Sequence, residues 1–151
     1  VTLVEVLVVL ALIGTVASAV GLSLSPTARG TEARGEAELL VARMRRASEE
    51  TLLTGRPVAL VWSERSYRFL ALVEGSWIPH PTPLLGEAKT LDAGVLFQGE
   101  VPHGGFAVTS AALPAGGSPI ALLIGTDGGD PARAVVVSWN GATATLLEPG
   151  E

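Results

Sequence analysis

One carboxylate interrupts the opening apolar run, and that run limits what the chain can become. The sequence begins Val1-Thr2-Leu3-Val4-Glu5-Val6-Leu7-Val8-Val9-Leu10-Ala11-Leu12-Ile13-Gly14, and after Glu5 no charged side chain occurs until Arg29. The 23 uncharged residues from Val6 to Ala28 would extend roughly 35 Å as a helix, and a hydrocarbon core needs about 20 such residues. The run predicts a membrane-spanning helix over residues 1–28. A carboxylate deep in lipid costs up to about 2.5–3.5 kcal/mol on insertion scales, so Glu5 needs a role. One role is local: Thr2 and Glu5 stand at capping-box spacing. The other is intermolecular. Glu5 could meet a free α-amino group, such as that of Val1 on a neighbouring chain, with about 4 kcal/mol of attraction at 4 Å and an effective dielectric of 20. Such a pair would set the axial register between otherwise featureless helices. Both roles can hold together.

Gly14, Ser18 and Gly21 recur along this helix at spacings of four and three, which lets helix backbones approach closely; glycine is also simply frequent in spanning helices. Ser23 to Gly30 is a weak helical stretch with Pro26 inside it, and a kink or melted segment is expected between Gly21 and Gly30. From Thr31 to about Leu53 the helix resumes. Ala33, Ala37, Leu40, Met44, Ala47 and Thr51 form one apolar stripe. Five arginines and five glutamates between Arg29 and Glu50 are expected mostly elsewhere around it. Arg45–Glu49 and Arg46–Glu50 stand as (i, i+4) pairs, Arg43, Arg45 and Arg46 read as a solvated face, and Thr54-Gly55 stops the helix.

The rest reads as short strands. Pro57–Trp62, with Val58, Leu60 and Trp62 on one face, turns at Ser63–Ser66 into Tyr67–Val73, and a further turn leads to Trp77-Ile78. A proline-rich loop is expected over His80–Leu91. Val95–Gln98, Phe106–Ser110, Ile120–Ile124 and Ala134–Trp139 follow, and Asn140-Gly141 predicts a hairpin answered by Ala142–Leu147. Short strands with glycine-rich turns argue for antiparallel sheets. The fold class is therefore α+β: a long N-terminal helix, membrane anchor plus amphipathic half, packed on an antiparallel, β-sandwich-like head. The divisions are 1–28 for the anchor, 29–55 for the amphipathic half and 56–151 for the head.

The start Thr2-Leu3-Val4-Glu5-Val6-Leu7-Val8-Val9-Leu10 resembles the mature amino terminus of type IV pilins and type II secretion pseudopilins. The head extends the likeness. Leu39-Leu40-Val41-Ala42-Arg43-Met44-Arg45-Arg46-Ala47, Thr54-Gly55-Arg56-Pro57-Val58, Tyr67-Arg68-Phe69 and Gly125-Thr126-Asp127-Gly128-Gly129 occur in an order similar to the H-type minor pseudopilins of type II secretion and the related FimT-type minor pilins. The chain departs from the usual pattern with Val1 where the family has Phe, and Leu22 where many members have a helix-bending proline. The resemblance implies that a prepilin peptidase removes a short basic leader and methylates Val1. It implies that Thr2, Leu3 and Glu5 belong to the assembly motif, with Glu5 meeting a neighbour's amino terminus. It implies a single-pass inner-membrane protein with a periplasmic head, which leaves the bilayer for an extracytoplasmic filament. The implied partners are other pilin or pseudopilin subunits, the peptidase, the inner-membrane assembly platform and, before assembly, the membrane itself. The filament is a type II secretion pseudopilus or, alternatively, a type IV pilus acting in pilus assembly or DNA uptake.

Composition weighs against other classes. From Thr51 onward nine acidic side chains face five basic ones, and no Lys/Arg cluster offers a nucleic-acid surface; Ala142–Thr145 after the Asn140 turn carries no arginine. The absence of cysteine removes disulfides and thiolate metal sites. His80 and His103 are isolated in loops. Asp127 and Asp130 flank a flexible turn that could hold calcium, but without EF-hand spacing. No nucleophile elbow supports catalysis. Trp62, Trp77 and Trp139 read as core or interface. The sequence points to no enzyme and no cofactor.

Overall fold

A computed structural model of the chain describes residues 2–22, 26–98, 104–108 and 120–149, with side chains described over 2–13, 30–98 and 120–149. Helix α1 runs over Leu3–Leu22 and helix α2 over Pro26–Thr54. The expected break between Gly21 and Gly30 falls partly on residues 23–25, outside the described residues. The rest of the weak stretch is helix. Pro26 stands at the first position of α2, where its missing N–H would have had no helical partner anyway. Tertiary burial then carries the helix through Gly30 and Gly35: Ala33, Ala37, Leu40, Met44, Ala47 and Thr51 are all buried. Gly55 closes α2 in the left-handed region (φ 69°), and its N–H reaches the Thr51 carbonyl at 2.8 Å, an arrangement a Cβ would strain.

The head has two antiparallel sheets. In the first, β1 (Val58–Ser63) pairs with β2 (Ser66–Val73), β2 with β3 (Ser76–Pro79), and β1 on its other side with a strand at Gly104–Val108. The register brings Val58, Leu60 and Trp62 opposite Ala71, Phe69 and Tyr67, so the buried residues of both strands share one face. The loop expected over His80–Leu91 is more ordered than its prolines suggested. It holds a one-turn helix, α3 (Pro83–Gly86), and strand β4 (Lys89–Thr90), which pairs with Ser66-Tyr67. Pro83 opens α3 where proline is tolerated. Gly86 passes so close to His80 that a Cβ there would lie 2.0 Å from the His80 carbonyl oxygen.

The second sheet is built from β5 (Val95–Gln98), β7 (Ile120–Thr126), β8 (Val135–Trp139) and β9 (Ala144–Leu147), in that order; β6 is the Gly104–Val108 strand of the first sheet. It begins two residues before the expected Phe106, and residues 109–110 lie outside the described residues. Val135, Val137 and Trp139 alternate inward as predicted. The Asn140-Gly141 hairpin forms, but with Trp139 opposite Ala144 rather than a strand answering from Ala142. The Asn140 side chain decides this. Its Oδ1 accepts from the Ala142 and Thr143 amides at 2.9 and 2.7 Å, which holds four residues in the loop. Only Gly141 of the Asn140-Gly141 pair has positive φ (85°).

Helix α2 lies against β7, β8 and β9, and α3 fills the side between α2 and β2. Tyr67 meets Phe69 on its own strand and Phe97 across the inter-sheet space, each edge-on at 6.3 Å between ring centres. Leu40, Met44, Leu60, Phe69, Leu122 and Ile124 are fully buried around them. Each such side chain contributes roughly 1.5–3 kcal/mol of transfer free energy, enough that no glycine in α2 could outweigh the stripe.

Candidate functional site

The described side chains of α1 are uncovered. Leu3 is 81% exposed, and Val4, Leu7, Leu10, Leu12 and Ile13 are all well above half. A continuous apolar surface of this kind marks a contact with lipid or with another protein. Glu5 stands exposed at its start. The Thr2 carbonyl accepts from the Glu5 and Val6 amides at 3.1 and 3.2 Å, and the Thr2 hydroxyl accepts from the Glu5 amide at 3.4 Å. That is the Thr half of a capping box; the Glu5 carboxylate has no described partner. Val1 lies outside the described residues. Gly14, Ser18 and Gly21 are on α1, but their surroundings also lie outside them. Among the described residues no helix is long and apolar enough to cross a membrane.

In the head, the carboxylates weighed as calcium ligands are engaged elsewhere. Asp127 pairs with Arg65 at 2.9 Å, and Asp130 caps a single 3-10 turn at Pro131–Arg133 by accepting from the Ala132 amide. Gln98 packs over Gly125 and donates to the Thr126 carbonyl at 2.7 Å, so the Gly125–Asp130 segment is a braced turn. His80 is buried. Its Nδ1 accepts from the Thr82 amide at 3.1 Å, which leaves Nε2 to carry the proton toward Glu50 at 3.2 Å. Among the described residues no group of three potential metal ligands converges; His103 lies outside them. Trp62 and Trp139 are core residues, and Trp77 is half-buried.

The polar face of α2 departs from expectation. Neither (i, i+4) pair forms. Arg45 donates instead to the Ala144 carbonyl at 3.2 Å, Arg46 approaches Glu49 at 3.8 Å, and Glu50 turns to His80. Fixed tertiary acceptors outcompete exposed helix pairs worth a few tenths of a kcal/mol. Ser48, buried, bridges the helix to the β8–β9 hairpin: its hydroxyl lies 3.0 Å from both the Met44 and Gly141 carbonyls and accepts from Trp139 Nε1 at 3.3 Å. Glu36 is only 4% exposed, held by Lys89 Nζ at 3.0 Å and the Asp92 amide at 3.3 Å. Arg43 is not on a solvated face; its guanidinium lies 5.6 Å from the centre of the Tyr67 ring. Burial, reinforced by the Glu36 charge and opposed by that of Arg43, pushes the Tyr67 phenol up to about 12. Sequence reasoning missed the Glu36–Lys89 contact, which spans two elements; the one available signal was Glu36's place beside Ala37 and Leu40 on the buried stripe.

A bare apolar helix continued by a second helix that packs an antiparallel two-sheet head defines a pilin-like architecture. Its particular branch follows from the head: the chain belongs to the GspH family, whose model, described as type II transport protein GspH, matches residues 36–144. Two solved structures of the minor pseudopilin EpsH, from the type 2 secretion system of Vibrio cholerae, share the fold. They are 21% and 22% identical to this chain, and each alignment covers 80% of it and 98% of the solved chain with a TM-score of 0.60. No curated protein sequence matches.

Proposed function

We propose that this chain is a minor pseudopilin of a type II secretion pseudopilus: a structural subunit that waits in the inner membrane with its head in the periplasm and enters an extracytoplasmic filament through α1. The observation that carries the reading is the uncovered apolar surface of Leu3–Ile13 with one carboxylate at its start. The uncharged run that continues to Ala28 in the sequence supports a lipid-spanning stage over residues 1–28, with 29–55 as the extramembrane half and 56–151 as the head. Assembly exchanges lipid for helix packing, so the free-energy difference must come from close backbone approach, where Gly14, Ser18 and Gly21 would serve, and from charge pairing. Thr2 and Leu3 complete the motif that presents Glu5 to a neighbour's amino terminus. The other pseudopilins are then its partners, the prepilin peptidase acts at Val1, and the assembly platform lifts the helix out of the bilayer. Nothing in this role asks for catalysis or a cofactor.

Glu5→Gln tests it. Glutamine keeps capping capacity and loses the charge. The variant is expected to insert in the membrane and fold normally but to be lost from sheared filaments. Normal incorporation would overturn the pairing role.

A further inference from the structure

Asn140 is the only asparagine in the chain, and a glycine follows it. It is exposed, in the loop that joins β8 to β9. An asparagine side chain carries its amide carbon one five-membered ring away from the next backbone nitrogen, and glycine, with no Cβ, leaves that nitrogen unshielded. The Gly141 nitrogen can attack Asn140 Cγ without a catalyst. A C–N bond forms, the Cγ–Nδ2 bond breaks, and ammonia leaves with the amide proton. Water then opens the cyclic imide at either carbonyl. One opening gives aspartate. The other gives isoaspartate, whose main chain runs through Cβ and Cγ.

The folded hairpin opposes the first step. Asn140 Oδ1 accepts from the Ala142 and Thr143 amides at 2.9 and 2.7 Å and from the Thr143 hydroxyl at 3.2 Å, which fixes the plane of the side-chain amide. Gly141 is buried, with φ 85°, and its carbonyl accepts from the Ser48 hydroxyl of α2 at 3.0 Å. Attack needs the two reacting atoms about 3–3.5 Å apart with their orbitals aligned. We propose that Asn140-Gly141 is a site of spontaneous deamidation that reacts only when the hairpin lifts from α2. Ring closure turns the peptide between residues 140 and 141 toward Cγ, which draws Gly141 off Ser48 and Oδ1 off the loop amides. The chemistry is slow beside local opening and closing, so its rate follows the open population.

The two products then part. Aspartate keeps an oxygen for the Ala142 and Thr143 amides, now with a charge, and the hairpin recloses. Isoaspartate lengthens the loop backbone by a methylene and carries Gly141 out of reach of Ser48, so the hairpin stays loosened. Asp127-Gly128 has the same spacing, but its carboxylate pairs with Arg65 at 2.9 Å, and a carboxylate resists the attack that an amide admits. None of this depends on filament assembly.

The test holds the full detergent-solubilised chain at mildly alkaline pH, below its unfolding midpoint. Peptide mapping by mass spectrometry follows residue 140 and separates aspartate from isoaspartate. The chain unfolded in denaturant gives the unguarded rate, and the folded wild type should convert at least about tenfold more slowly. Ser48→Ala removes the tie without touching the reacting atoms and should speed conversion about 5–30-fold. Arg45→Ala, which releases the Ala144 carbonyl from a donor at 3.2 Å, should act in the same direction and carries the test if Ser48→Ala unfolds. Asn140→Asp should keep the wild-type midpoint, whereas the isoaspartate fraction should melt earlier. A folded wild type that converts as fast as the unfolded chain, a folded Ser48→Ala or Arg45→Ala variant no faster than wild type, or an isoaspartate fraction as stable as wild type would overturn the inference.

Discussion

Removing one hydroxyl should loosen the C-terminal hairpin from the long helix. In Ser48→Ala the indole N–H of Trp139, a residue 2% exposed, loses its only described partner at 3.3 Å, and the buried Gly141 carbonyl loses a donor at 3.0 Å. A buried donor left unsatisfied costs about 1–3 kcal/mol. Alanine's better helix propensity returns about 0.5 kcal/mol. The net cost is about 1–2 kcal/mol, which for a chain of this size lowers the unfolding midpoint by about 2–8 °C. Thermal unfolding of the detergent-solubilised protein measures the cost, and hydrogen exchange at the Trp139 indole should accelerate alongside it. The mechanism is isolated by repeating Ser48→Ala in a Trp139→Phe background. With the indole donor gone, the same substitution should be milder by about 1 kcal/mol. A midpoint unmoved by Ser48→Ala, or an equal loss in both backgrounds, would refute the hydroxyl's role in tying hairpin to helix.

Two glycines should respond in opposite directions. Gly86→Ala drives a Cβ into the His80 backbone, at 2.0 Å from its oxygen and 2.9 Å from its carbon, and should cost at least about 2 kcal/mol, read from the unfolding midpoint. Gly35→Ala, exposed within α2 with nothing within 4 Å of the new methyl, should raise stability by about 0.5–1 kcal/mol in the same assay. Tyr67 is the chain's single tyrosine, so phenolate absorbance reports it alone. The folded phenol should hold its proton to about 12, whereas an unfolded one releases it near 10. Its contribution is therefore intact below pH ~10 and is lost as pH climbs from ~10 to ~12; ionisation near 10 in the folded protein would contradict the burial.

Much of this molecule is written in periodicity. The stripe from Ala33 to Thr51 needs only a helix repeat and a surface to face, and the structure buries all six residues. The inward sides of β1 and β8 likewise follow from alternation, because a half-buried strand leaves its side chains two choices. The α+β class and the bare apolar opening follow from the same local rules. What tertiary structure alone decided are the polar partnerships. Arg45 and Glu50 leave their (i, i+4) neighbours for Ala144 and His80, Glu36 finds Lys89 across 53 residues, and Asn140 widens a turn through its own side chain. Each choice depends on where another element brings a donor or acceptor within about 3 Å, and exposed helix pairs are too weak to resist. Arg43 belongs to the same group: its charge is plain in the sequence, but only the packing of α2 on the head puts its guanidinium over the Tyr67 ring.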